Sequence, residues 1–466
     1  MLFNSFAFIL FFPLVVGCYF LLPQRFRNIF LLACSCYFYM YFNPIYILIL
    51  AYTIAVDFFV GIKIENNFGN RRAQKIWLYA SLVANIGALA FFKYANFVWE
   101  NISSALSLAS INPSFSLPAI LLPIGLSFHT FQAISYSVEV YRGKQKAERN
   151  ILVYSLYVMF FPQLVAGPIE RPQRLLHQFT GKHYFTYSNF SIGAKWILWG
   201  LFKKVVVADN LSTLVDAVYN SPQSHTGLAL LAATGLFAFQ IYGDFSGYSD
   251  MAKGIAKIMG FDLSINFNLP YFSASVSEFW RKWHISLSSW FKEYVYVPLG
   301  GNKENFFRNL FITFALSGLW HGANFTYLVW GVLNGILVFM DKYVFKIPFN
   351  IPRFLKMAMA FLLIDFCWIF FRSSSLSDAS YIITHAFTNW SWYTLNTIAV
   401  ERHTWFIALS MLAFMLTVEW LTKAKSVIGW WNETAREYKI IFLNVLLILM
   451  LLFGVFEHRT FIYFQF

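Results

Sequence analysis

The stretch SGLWHGANFTYLVWG, residues 317–331, lies at the joint of two apolar runs, 308–322 and 325–343, and sets a histidine between Trp320 and Gly322. Runs of this kind, recurring along a chain, belong to helices embedded in a bilayer. A leucine at 321 would cost nothing there. An imidazole brings a donor and an acceptor nitrogen that hydrocarbon cannot satisfy. Reading the stretch as membrane-embedded decides the fold class, and it leaves His321 in need of a reason.

The composition agrees. The chain has 466 residues, of which 58% are hydrophobic and only 12% charged. A soluble domain carries about 25% charged residues. Aromatic residues make up 21%, more apolar surface than one soluble core buries. Lipid takes the remainder, and an all-α integral membrane protein follows. The net charge of +13 is spread in short basic clusters between apolar runs, as in cytoplasmic loops facing anionic lipid. A nucleic-acid partner is not expected. Cys18, Cys34, Cys36 and Cys367 lie in apolar runs without metal or redox spacing and read as packing residues. The first 22 residues lack a basic leader and a cleavage site, so they read as the first span.

Spans are expected near 5–22, 28–43, 45–62, 76–98, 117–138, 151–166, 192–207, 227–243, 308–322, 325–343, 355–371, 404–422 and 440–456. Several are short or interrupted, so about eleven full crossings are expected, with re-entrant and interfacial helices making up the rest. Arg25 and Arg27, then Lys63, Arg71, Arg72 and Lys75, then Arg142, Lys144, Lys146 and Arg149 follow alternate spans. This bias puts the N-terminus outside. Residues 167–183 are basic again after one short run, which makes 151–183 re-entrant. No duplicated half is visible. One integrated domain over 1–466 is the expectation, with its motifs densest at about 239–331.

That region opens with FQIYGDFSGYSDMAKGIAKIMGFDL (239–263), where Asp244, Ser246, Tyr248 and Asp250 end an apolar run. Carboxylates near membrane depth face a cavity or a partner; the alternative is an interfacial helix end with a capping Asp. A serine-hydrolase elbow is excluded, because Asp244 stands where that motif needs glycine. Next, FWRKWHISLSSWFKEYVYVPLGGNK (279–303) places Trp280, Trp283 and His284 on one helical face at i, i+3 and i+4. An amphipathic interfacial helix with a tryptophan belt explains the same residues. At His321 the flanking Gly318 and Gly322 allow close backbone approach, and Trp320, Asn324 and Trp330 crowd the ring. A satisfied packing histidine and a general base on a hydroxyl are the two readings. Neither histidine has a second ligand at metal spacing, so no metal is expected.

These segments, with VAGPIERP (165–172), PIGLSFHTFQAISYSVEVYRG (123–143) and FIYFQF (461–466), together resemble the membrane-bound O-acyltransferase family, and within it the bacterial alginate O-acetyltransferase branch. The resemblance spans essentially the whole chain. It implies about eleven helices around a central funnel or tunnel in a bacterial cytoplasmic membrane. No bound cofactor is implied; the acyl donor is a thioester, acetyl-CoA or an acyl carrier, on the cytoplasmic side. The acceptor is an extracytoplasmic polysaccharide, reached with a separate acetyltransferase- or esterase-like partner protein. The family's essential histidine falls on His321 and its second recurrent histidine on His284. Asp244, Tyr248, Trp280, Trp283 and Asn324 are then candidate substrate-binding residues. Lys203, Lys204, Arg281, Lys282 and Lys303 stand as loop-edge cations that could meet donor phosphates or serve as positive-inside residues. Transfer of D-alanine to teichoic acid, transfer of acetyl to peptidoglycan, and proton-coupled transport through intramembrane His and Asp remain the alternatives.

Overall fold

Short polar side chains start the helices. Ser5, Asn70, Asn150, Asn324 and Ser375 each accept a hydrogen bond from the amide two or three residues ahead, filling donors that a helix start leaves open. The computed structural model describes residues 1–111, 115, 117–118, 120–165, 167–344, 351–456 and 461–462. Ala166 of the VAGPIERP motif and residues 463–466 of the terminal one lie outside them. Among the described residues the fold is helical, without a strand. Five helices among the described residues are long and apolar enough to cross a membrane: Pro44–Asn66, Arg71–Leu108, Leu228–Ile258, Arg353–Arg372 and Arg402–Thr422. The protein is a multi-pass membrane protein.

Most expected spans coincide with helices, as 5–22 does with Phe6–Leu21 and 325–343 with Phe325–Tyr343. Two differ. The 151–166 run breaks into Ile151–Met159 and Phe161–Leu164, because Pro162 cannot donate into a continuing helix. Nine residues rise about 14 Å, half of the hydrocarbon thickness. The 192–207 run becomes helix Tyr187–Leu201, a π-helical turn over Phe202–Ala208, and helix Asp209–Tyr219.

The chain forms two compact units, 1–190 with 256–264, and 191–255 with 265–466. In the first, the carboxylate of Asp57 is fully buried and held by neutral donors. Ser81 Oγ and Ser137 Oγ reach one oxygen at 2.5 and 2.7 Å, and Asn85 Nδ2 reaches the other at 2.7 Å. These bonds tie helices Ile47–Asn66, Arg71–Leu108 and Leu126–Tyr141 together.

In the second unit, glycines bring backbones into contact. A Cβ on Gly200 would overlap the Gly247 carbonyl, and one on Gly254 would overlap that of Gly193. Helix Tyr187–Leu201 therefore crosses helix Leu228–Ile258 at a separation that only small residues permit. The π turn then directs two lysines into the same helix. Lys203 Nζ lies 2.6 Å from Asp250 and 2.9 Å from Ser246 Oγ, while Lys204 Nζ lies 2.7 Å from Asp244 and 2.9 Å from Asp209. Both lysines are buried. The expectation of loop-edge cations is corrected at these two positions: in this interior each ammonium must sit beside a carboxylate. The reading of 244–250 as a helix end is corrected too. Helix Leu228–Ile258 runs straight through it, since the lysines neutralise the carboxylates from the side.

Gly200→Val or Gly247→Val should abolish recovery of folded protein, whereas Gly235→Val, whose Cβ meets nothing within 4 Å, should not; detergent size-exclusion chromatography distinguishes them. Lys204→Gln leaves Asp209 and Asp244 without their buried cation and should cost about 3–5 kcal/mol, read from thermal unfolding in detergent.

Candidate active site

The site is built in the second unit, where two short helices, Val276–Lys282 and Ile285–Phe291, meet at Trp283 and His284. His284 adopts a left-handed conformation, φ +40°, which a non-glycine residue takes up only when its surroundings enforce it. Asn266 enforces it here. Its carbonyl accepts from Ile285 N at 2.8 Å, and its side-chain oxygen accepts from Ser286 N at 3.2 Å and Ser286 Oγ at 2.8 Å. The turn directs the imidazole inward, leaving His284 only 1% exposed. Its ring meets Phe245 edge-on at 4.5 Å and lies parallel to Phe267 at 6.3 Å.

The expected single face for Trp280, Trp283 and His284 is therefore corrected. The helix ends at Lys282, and Trp283 has an extended backbone. The three rings belong to one cluster through tertiary packing instead. Trp283 lies 5.2 Å from Trp368, Trp280 lies 5.6 Å from Trp330, and Trp330 stacks on Trp368 at 5.9 Å.

His321 is the last residue of helix Phe306–His321 and is 6% exposed. The helix turns back into Phe325–Tyr343 at once, because Gly318 and Gly322 leave room for the Tyr327 carbonyl and ring that any Cβ would strike. Aromatic edges and faces then fix the imidazole: Trp320 at 4.9 Å, Trp330 at 5.0 Å and Phe371 at 5.2 Å. Trp320 also lies 6.4 Å from the His284 ring. One indole thus neighbours both histidines.

The other candidates are placed less directly. Asn324 caps helix Phe325–Tyr343, accepting from Thr326 N at 3.0 Å and donating to the Ser374 carbonyl at 2.8 Å. Asp244 holds Lys204 and accepts from Ile462 N at 2.7 Å. Tyr248 packs on Phe461 at 4.9 Å, and Phe461 in turn on Phe245 at 5.8 Å. Tyr248 thus connects to His284 through Phe461 and Phe245. Sequence reading missed Phe245, Trp368 and Phe371, which form the walls, and Asn334, which accepts from Trp280 Nε1 at 3.2 Å. Trp368 and Phe371 fall at the end of the expected span 355–371, three positions apart, which was the available signal. Among the described residues no three His, Cys, Asp or Glu side chains gather as metal ligands.

A cavity of about 340 Å³ runs between residues 280–296 and helix Phe306–His321. Arg281 and Lys292 supply its cations, Ser288, Ser289 and Thr313 its hydroxyls, and Ser317 lies one helical turn before His321. Lys282 is drawn aside to Glu278, at 2.7 Å. Lys303, Arg308 and Lys342 lie toward the opposite end of this helical hairpin from His321, where Lys342 Nζ reaches Asn302 at 3.4 Å.

Buried imidazoles and a largely apolar cavity that carries two cations, in a membrane protein, stand alongside what comparison with known proteins finds. Residues 144–348 match the sequence profile of the membrane-bound O-acyltransferase family. A probable alginate O-acetylase of Pseudomonas aeruginosa is 39% identical over 89% of this chain and 81% of its own length. The peptidoglycan O-acetyltransferase of Helicobacter pylori is 35% identical over 81% of this chain and 78% of its own. The teichoic acid D-alanyltransferase of Bacillus subtilis is 28% identical over 46% of this chain and 58% of its own. A relative this similar across most of both chains is decisive: the protein belongs to the membrane-bound O-acyltransferase family and is an O-acyltransferase.

Proposed function

We propose that the protein moves an acetyl group from a cytoplasmic thioester, acetyl-CoA, toward hydroxyl groups of an extracytoplasmic polysaccharide, with His321 as general base. The observation that supports this reading is the cavity lined by Arg281, Lys292 and Ser317, with Ser317 one helical turn before His321 on the same helix. Its cations suit the phosphates of the donor. Its hydroxyls suit the amides of a pantetheine arm. The basic end of the hairpin, at Lys303, Arg308 and Lys342, is then cytoplasmic under the positive-inside rule, and His321 lies toward the opposite face. The same rule keeps the N-terminus outside, in a bacterial cytoplasmic membrane.

The chemistry requires little else. The His321 imidazole removes the proton from an acceptor hydroxyl, and the oxygen attacks the thioester carbonyl carbon. The carbon–sulfur bond breaks, and the proton passes from the imidazolium to the departing thiolate. His284 hydrogen-bonds the carbonyl oxygen as negative charge develops on it. The aromatic walls hold both rings in place, so the reactants meet in one orientation.

The relatives favour acetyl over D-alanyl transfer, since the acetylating ones match over more of the chain and at higher identity. A polysaccharide acceptor follows the 39% relative, and peptidoglycan, after the 35% relative, is the second reading. An extracytoplasmic partner carries the group onward to the polymer.

His321→Ala should lower acetyl transfer from radiolabelled acetyl-CoA by about 10²–10⁴-fold, with the amount of membrane-inserted protein unchanged. Full transfer by that variant would end the assignment, and label entering only from D-alanine would redirect it. Arg281→Gln with Lys292→Gln should raise the KM for acetyl-CoA several-fold while sparing kcat, and should flatten the salt dependence of KM; an unchanged KM would remove the cavity from the donor path.

A further inference from the structure

A second opening in the same unit lies away from both histidines. Helices Arg353–Arg372 and Arg402–Thr422 splay apart near the start of one and the end of the other, leaving a groove of about 460 Å³. Its walls are Phe354, Phe361, Leu416 and Trp420, and its floor is Phe239 and Tyr271. Phe354 and Trp420 are exposed, so the groove faces outward where these spans meet lipid.

Cations mark the rim. The Lys423 ammonium sits 5.0 Å over the ring of Trp420, a groove wall, and among the described residues no carboxylate pairs with it. Arg353, next to Phe354, has a side chain 70% exposed. It approaches Glu278 at 3.7 Å, but that carboxylate already holds Lys282 at 2.7 Å. An apolar slot in the span with two available cations at its mouth complements one kind of molecule.

We infer that this groove binds an anionic phospholipid of the surrounding bilayer, with an acyl chain against Phe354, Phe361 and Trp420 and the headgroup phosphate between Lys423 and Arg353. A neutral lipid could fill the slot equally well, so the charges are what select. Each cation near a membrane surface favours an anionic lipid by about fivefold. The site also touches the fold where it matters. Tyr271 on its floor donates to the Ala238 carbonyl at 2.7 Å and accepts from Trp368 Nε1 at 3.2 Å. Its ring lies 6.0 Å from Trp283, the neighbour of His284 in the chain. A bound chain therefore buttresses the aromatic cluster from its lipid side.

The test uses the full-length chain purified in detergent, with native mass spectrometry after addition of dioleoyl-phosphatidylglycerol or dioleoyl-phosphatidylcholine. The wild type should retain one phosphatidylglycerol about 25-fold more readily than one phosphatidylcholine. Arg353→Gln with Lys423→Gln should erase that preference while retaining phosphatidylcholine as before. Ala358→Phe, placed in the groove wall, should reduce retention of both lipids. Equal retention of the two lipids by the wild type overturns the inference, as does a preference that survives the double charge variant. Should Ala358→Phe fail to fold, the charge variants decide alone.

Discussion

Hydrocarbon offers no hydrogen bonds, so every polar group carried into the span must find its partner within the protein. Lys204 shows what this demands. Its ammonium lies between Asp209 and Asp244. Lys203 does the same with Asp250 and Ser246. Both lysines reach helix Leu228–Ile258 because a π-helical turn follows Gly200, and Gly200 is where the two backbones touch. Close packing and charge pairing depend on one another here. Without the glycines the ammonium groups would fall short of the carboxylates, and without the pairing the helix could not carry three acidic and hydroxyl groups through the interior.

The same constraint shapes the active site by different means. His284 and His321 are each packed among aromatic rings, and Trp320 borders both. Rings pack tightly and keep the local dielectric low. That is the environment in which a base aimed at a hydroxyl gains most from fixed geometry. His284 needs a left-handed backbone to enter the cluster, and Asn266 supplies three hydrogen bonds that hold the turn. Strain at this position is thus supported by neighbours outside the cluster.

Much of this was legible beforehand. The apolar runs located helices such as Phe325–Tyr343, and the low charge content identified lipid as the solvent. Gly318 and Gly322 beside His321 indicated close backbone approach, and the Tyr327 carbonyl and ring occupy that room. Other features were not legible. Helical periodicity put Trp280, Trp283 and His284 on one face, but a short helix ended first. Asp244 reads as facing a cavity or partner or as capping a helix end, and Lys204 as a loop-edge cation; only their juxtaposition makes them a buried pair. Seven-residue spacing of Gly193 with Gly200, and of Gly247 with Gly254, was a packing signal that stood in the sequence unread.

By itself, the sequence determined that this chain is helical and lives in a membrane, because composition and periodicity are properties of each segment alone. Tertiary structure decided which of the chain's polar residues became site and which became scaffold. Asn324 turned into a helix cap and Asp244 into a counter-ion, while Phe245, Trp368 and Phe371 closed around the imidazoles. That choice rests on contacts between helices far apart in the chain, and no local pattern encodes them.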